Sequence, residues 1–109
     1  MNRDEIPPGT LYLLILKTLA LHRELHGYEI ADSIQRTSDD VLQVEEGSLY
    51  PALQRMLVKG WVMAEWGVTA GNRRARYYKL TAAGRKQLAA ELSQFQRVFG
   101  AITRVVQTA

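Results

Sequence analysis

Residues 47–85, GSLYPALQRMLVKGWVMAEWGVTAGNRRARYYKLTAAGR, leave few folds open to this chain. Leu49, Leu53, Met56 and Leu57 recur at helical spacing and predict a helix over about 48–59. Its outer face carries Gly47, Pro51, Gln54, Arg55 and Lys59, and Gly60 ends it. A strand follows over 61–68, with Val62, Ala64, Trp66 and Val68 on one face. A loop at 69–72 contains Gly71-Asn72, and a return strand runs over 74–80. An amphipathic helix followed by an arginine-rich hairpin is the order of a winged helix-turn-helix. The expected fold is therefore mainly α with a small β hairpin, completed by a long C-terminal helix.

Charge is divided along the chain. Residues 1–46 hold nine acidic and four basic side chains, net −5, whereas residues 47–109 hold two acidic and ten basic, net +8. The densest stretch, 69–86, has Arg73, Arg74, Arg76, Lys79, Arg85 and Lys86 and no acid. A one-sided basic patch points to a polyanion such as double-stranded DNA. A solvated basic face kept for solubility is the plainer reading. Against it, arginines predominate and interleave with Tyr77 and Tyr78.

The remaining segments frame this unit. Residues 1–8 read as a flexible polar tail, 9–80 as the winged domain and 81–109 as a dimerisation helix. Thr10 is the expected N-cap of a first helix over about 11–23. That helix is apolar nearly all round, which implies burial on more than one side and contact with a second subunit. A second helix spans about 28–37, then a turn at 37–40 and a short extended segment at 41–44. The last helix starts at the N-cap Thr81 and runs to about Val106. Leu88, Leu92, Phe95, Phe99, Ile102 and Val106 follow one another at intervals of four and three. Such a heptad seam packs lengthwise on another helix. Nothing else in the chain is long enough to cover it, so a homodimer is expected.

The candidate DNA-contact residues are Tyr28, Ser48, Tyr50, Pro51, Gln54, Arg55, Arg73, Arg74, Arg76 and Lys79. Gln54 and Arg55 carry groups able to make bidentate contacts to base edges. Pro51 is expected in the first turn of its helix, where its missing N–H costs nothing. Free N–H groups at that helix start, with the Ser48 and Tyr50 hydroxyls, suit phosphate oxygens. The hairpin arginines suit a phosphate backbone or the minor groove. Tyr28 has two readings of equal standing, a phosphate contact or packing beneath the third helix. Of Tyr77 and Tyr78, on opposite strand faces, one is expected in the core and the other near DNA.

Other chemistries lack their residues. There is no cysteine, hence no disulfide, thiolate metal site or thiol nucleophile. His22 and His26 stand at a metal-binding spacing, but Gly27 interrupts the helix and no third ligand accompanies them. No phosphate-cradling glycine loop and no Ser-His-Asp signature is present, so neither an enzyme nor a cofactor is expected. The apolar run 11–16 stops at Lys17, well short of a membrane span, and the expected location is cytoplasmic. Phe95 and Phe99 are read as dimer core rather than as the lining of a ligand pocket.

LYLLILKTLA, HGYEIADSI, GSLYPALQRMLVKGWV and RRARYYKLTAAGR, with the long helix that follows, closely resemble the PadR family of bacterial transcriptional regulators over about 9–105. The resemblance implies a dimeric winged helix-turn-helix, commonly a repressor that releases DNA when an effector binds. Members' effectors range from phenolic acids to multidrug-type ligands. The chain is similar to the short form, with one C-terminal dimerisation helix. On this resemblance the recognition segment falls on Ser48, Leu49, Tyr50 and Pro51, and the wing on Arg73 to Tyr78. Where many members carry a basic residue two before the paired tyrosines, this chain has Ala75, with Arg73 and Arg74 ahead of it. The expected function is a homodimeric DNA-binding repressor on an inverted-repeat operator, released by a small-molecule effector of unknown identity. The alternative is a winged-helix module that binds a protein and no DNA.

Overall fold

The computed structural model describes residues 4–7 and 9–109. In chain order it comprises β1 (Asp4–Glu5), α1 (Leu11–Leu21), β2 (Leu25–His26), α2 (Gly27–Thr37), β3 (Leu42–Gln43), α3 (Glu46–Val58), β4 (Val62–Val68), β5 (Arg74–Leu80) and α4 (Ala82–Gln107). The expected mainly helical fold with a hairpin and a long last helix is present.

The apolar helix α1 lies at the centre because Ile15, Leu16 and Leu19 turn to different neighbours and all are buried. It packs on α2, α4 and β5, so the chain itself supplies much of the cover expected from a second subunit. From α2 come Ile30 and Ile34, and from α3 Leu49, Ala52, Leu53 and Met56. Val62, Tyr78 and Leu80 close the core from the hairpin. Thr10 sits at the N-cap of α1 without capping it; its hydroxyl donates instead to the Pro7 carbonyl at 2.8 Å.

The sheet has a third strand beyond the expected hairpin. Leu25–His26 pairs antiparallel with β5, opposite Tyr78 and Tyr77, giving the order β2-β5-β4. His26 then caps α2, its backbone N–H donating to the Glu29 carboxylate at 3.1 Å. The tail expected over 1–8 is different at Asp4–Glu5, which pairs in parallel with Leu42–Gln43. Ile6 holds this segment by packing against the core. Residues 1–3 and Pro8 of that expected tail lie outside the described residues.

Strands β4 and β5 pair from Val62↔Leu80 to Val68↔Arg74. Side chains alternate, so one face carries Val62, Ala64, Trp66 and Val68 with Leu80, Tyr78, Arg76 and Arg74. Near the domain this face is core; towards the tip it projects into solvent. The loop between the strands is closed by the Thr69 N–H, which donates to the Arg73 carbonyl at 2.7 Å, and Asn72 adopts φ +60.

Helix α4 starts where expected. The Thr81 hydroxyl oxygen accepts from the Gly84 N–H at 3.0 Å and its hydrogen is given to the Gly60 carbonyl at 2.6 Å. Gly84 is buried against the backbone of Trp61; a Cβ there would collide with the Trp61 carbonyl oxygen. Glycine is a weak helix former, but here it lets α4 touch the turn between α3 and β4 backbone to backbone. Gly84→Ala gains about 1 kcal/mol of helix propensity. The collision with rigid main chain should outweigh that gain, for a net loss on the order of 1–3 kcal/mol in chemical denaturation. A variant as stable as the parent would mean that α4 can shift freely.

Candidate nucleic-acid interface

The wing and α3 share one cleft of about 430 Å³, lined by His26, Gly27, Tyr50, Gln54, Trp66 and Arg74–Arg76, with Tyr78 at its floor. It forms because the tip face of the hairpin, beyond Tyr78 and Ala64, leans towards the outer edge of α3. Tyr50 and Gln54 are on that edge, and both are exposed. Tyr50 is fixed from behind. Its ring lies so close to the α-carbon of Gly27 that a Cβ there would sit 2.7 Å from the hydroxyl oxygen. Desolvation, then the nearby Glu46 carboxylate and Tyr78, raise the Tyr50 pKa above 10.0. The phenol therefore keeps its proton at neutral pH and stays a hydrogen-bond donor.

Arg74 and Arg76 approach the indole of Trp66, their guanidinium carbons 4.5 Å and 5.8 Å from the ring centroid. Arg76 is also 6.0 Å from the Tyr78 ring. Among the described residues the one ion pair between an arginine or lysine and a carboxylate is Asp32–Arg36, so no carboxylate neutralises either wing arginine. The cleft is thus cationic, flanked by a phenol and an amide, and open to solvent.

Other expected contacts are distributed differently. Arg55 lies on the far edge of α3, where its Nε–H donates to the Tyr12 hydroxyl at 2.6 Å. Tyr12 in turn meets Trp61 edge-on at 5.3 Å, and Lys59 stands 5.2 Å above Trp61. Ser48 faces a separate hollow with Ile6, Pro7, Gly9 and Leu11. Its N–H is already donated to the Glu45 carbonyl at 3.0 Å, and Glu45 and Glu46 place negative charge at the start of α3. Phosphate binding at that helix start is therefore opposed by the chain's own acids. Lys79 pairs with Met63 on the sheet face opposite Arg74 and Arg76. Arg73 belongs to the loop at the tip.

Pro51 is exposed on the outer face, but α3 begins at Glu46, two residues before the expected start. Pro51 therefore falls in the second turn and cannot donate to the Gly47 carbonyl. Tyr28 is 70% exposed, which removes the reading that packs it beneath α3. Tyr78 is the core tyrosine; Tyr77 lies on the opposite face, edge-on to His26 at 5.4 Å.

The residues 15–90 match the family model described as transcriptional regulator PadR-like. The chain belongs to that family. An uncharacterized protein of Lysinibacillus sphaericus is 30% identical over 98 residues, covering 90% of this chain and 89% of the relative. A transcriptional regulator from Clostridium thermocellum is similar in structure, with a TM-score of 0.82 and 25% identity over 91% of this chain and 95% of that one. Bacillus subtilis PadR, solved in complex with operator DNA, shares the fold at a TM-score of 0.68 and 23% identity; the match covers 80% of this chain and 48% of that protein.

Within this PadR-like chain, sequence reading missed Trp66 and His26 as walls of the cleft. Trp66 was open to discovery. The hairpin register puts it opposite Arg76 on the face that also carries Arg74. His26 was not, because its place depends on a two-residue strand that only tertiary pairing creates. Gly27→Ala should push Tyr50 outward and lower stability by about 1–3 kcal/mol in urea unfolding. Two-dimensional NMR should show the largest shifts at Tyr50 and Gln54. Shifts confined to α2 would contradict the close packing.

Proposed function

We propose that this protein is a homodimeric, sequence-specific DNA-binding regulator that represses transcription. The observation that carries this reading is the single cleft shared by Tyr50, Gln54, Arg74 and Arg76. Helix α3 enters a major groove with Gln54 at the base edges and Pro51 close to the duplex. Arg73, Arg74 and Arg76 of the wing lie on the adjacent backbone, and the Tyr28 and Tyr50 hydroxyls donate to phosphates. The operator complex of Bacillus subtilis PadR, similar in fold, supports the reading. Unneutralised wing arginines fit a polyanion better than the protein partner of the alternative reading.

The dimer is supported by α4. Leu92, Phe95, Phe99, Ile102 and Val106 are exposed along it, together with Val98 and Val105, and Phe99 is 57% exposed. An apolar face of this length is a surface that a soluble regulator covers. Helix α4 of a second copy is the natural cover. Leu88, the first residue of the seam, already packs against its own core and serves the fold before the dimer. An apolar groove of about 520 Å³ runs between the start of α1 and α4, past Leu13, Phe95, Val98, Phe99 and Ile102. In the dimer the rest of this groove is where a small apolar effector would compete with the packing. Two-fold symmetry calls for an inverted-repeat operator, with half-site centres about one turn (~34 Å) or a multiple apart.

Fluorescence anisotropy with DNA from upstream of the protein's own gene, against scrambled DNA, tests the reading. Tight, sequence-dependent binding that falls linearly on a log–log salt plot is expected. Arg74→Ala and Arg76→Ala should each reduce the salt slope by about 1, and Gln54→Ala should narrow the gap between the two DNAs. Lys79→Ala should leave the slope unchanged. Absence of binding to any DNA at low salt would overturn the reading. Separately, Phe99→Asp should convert a dimer to monomers or aggregates in sedimentation velocity; an intact dimer would place the interface elsewhere.

A further inference from the structure

Trp66 is a large apolar ring left 60% exposed on a projecting strand, far from the core. Nothing in the fold calls for it there, since Val62, Tyr78 and Leu80 already close the sheet against the helices. Its surroundings are two arginines on the same strand face, one directly opposite in register and one a pair nearer the tip. Both guanidinium groups lie within cation–π range of the indole. Arg74 is exposed and Arg76 half-buried, and arginine side chains with no partner sample many rotamers whose entropy is lost when they are fixed.

A carboxylate would also have held these arginines, but it would have cancelled their charge and taken their N–H donors. An aromatic ring attracts the cation through its quadrupole and takes neither. It also places electron density between two like charges that would otherwise repel along the strand. The acid closest in the hairpin register, Glu65, pairs with Tyr77 on the other face and does not compete.

We propose that Trp66 is the positioning residue of the wing. Its indole holds Arg74 and Arg76 on the α3 side, charged and with their donors free, so that a DNA backbone meets a preformed pair rather than two mobile side chains. This rests on the DNA-binding reading above. The affinity gain comes from ordering done before binding. Trp66 lines the same cleft as both arginines, Tyr50 and Gln54.

Two measurements separate this proposal from the reading beneath it. Without DNA, NMR of the arginine Nε–H groups reports the ring directly. Arg74 should show a ring-current shift that vanishes in Trp66→Ala and persists, reduced, in Trp66→Phe, and the Arg76 shift should shrink to what the Tyr78 ring alone produces. An unshifted Arg74 resonance in the parent, or an Arg74 shift that survives Trp66→Ala, would overturn the proposal whatever DNA does. With upstream DNA, Trp66→Ala should lose roughly 5- to 20-fold in affinity, as two exposed cation–π contacts predict. Trp66→Phe should recover most of it. In an Arg74→Ala/Arg76→Ala background, Trp66→Ala should cost little more. An undiminished loss in that background would mean that the indole touches DNA itself, which also overturns the positioning role. If the parent shows the ring-current shifts but binds no DNA, the DNA reading fails and the functional half of the proposal with it, while the Trp66–arginine contact stands.

Discussion

The contact between Gly84 and the backbone of Trp61 decides how the rest of the molecule is arranged. Because nothing larger than hydrogen fits at Gly84, α4 begins against the turn between α3 and β4 rather than a side chain's width away. Thr81 reinforces the joint by bonding to the Gly60 carbonyl and to the Gly84 N–H. Leu88, a turn further on, still belongs to the core; beyond it α4 leaves the domain with its apolar side uncovered. One junction thus joins the base of the hairpin to the start of the long helix.

A second constraint is the small size of the core. It reaches along the hairpin as far as Tyr78 and Ala64 and stops there. Past that point the inner sheet face has no helix to pack on, so its side chains must be stabilised by one another. Trp66 with Arg74 and Arg76 is the result. On the other edge of α3 the same device recurs, with Tyr12 and Trp61 holding Arg55 and Lys59. Aromatic rings on both flanks of α3 hold cations, but only on the wing side do the arginines border the cleft with Gln54.

Periodicity made most of the fold legible. The stripes of α2, α3 and α4 and the alternation of β4 and β5 are local patterns, and local patterns survive tertiary packing. What escaped were features made by distant partners. The strand Leu25–His26 is two residues long and exists because β5 offers it an edge. The start of α3 at Glu46 rather than Ser48 moved Pro51 into the second turn. Within the site, composition identified the basic side chains but not their directions. Arg55 turns to Tyr12, Ser48 to the N-terminal segment and Lys79 to the opposite sheet face, since helix azimuth and strand parity rather than residue type set where a charge points.

The absence of a linker between β5 and α4 has a mechanical meaning. Strand β5 ends at Leu80 and α4 starts at Ala82, with only Thr81 between them. From Gly84 to Gln107 the helix is a stiff arm about 35 Å long. A tilt of ~5° about the glycine sweeps its far end through roughly 3 Å. Any force on that distant end therefore acts at the fulcrum with the full length of the arm, four residues from the end of the strand that carries the arginines.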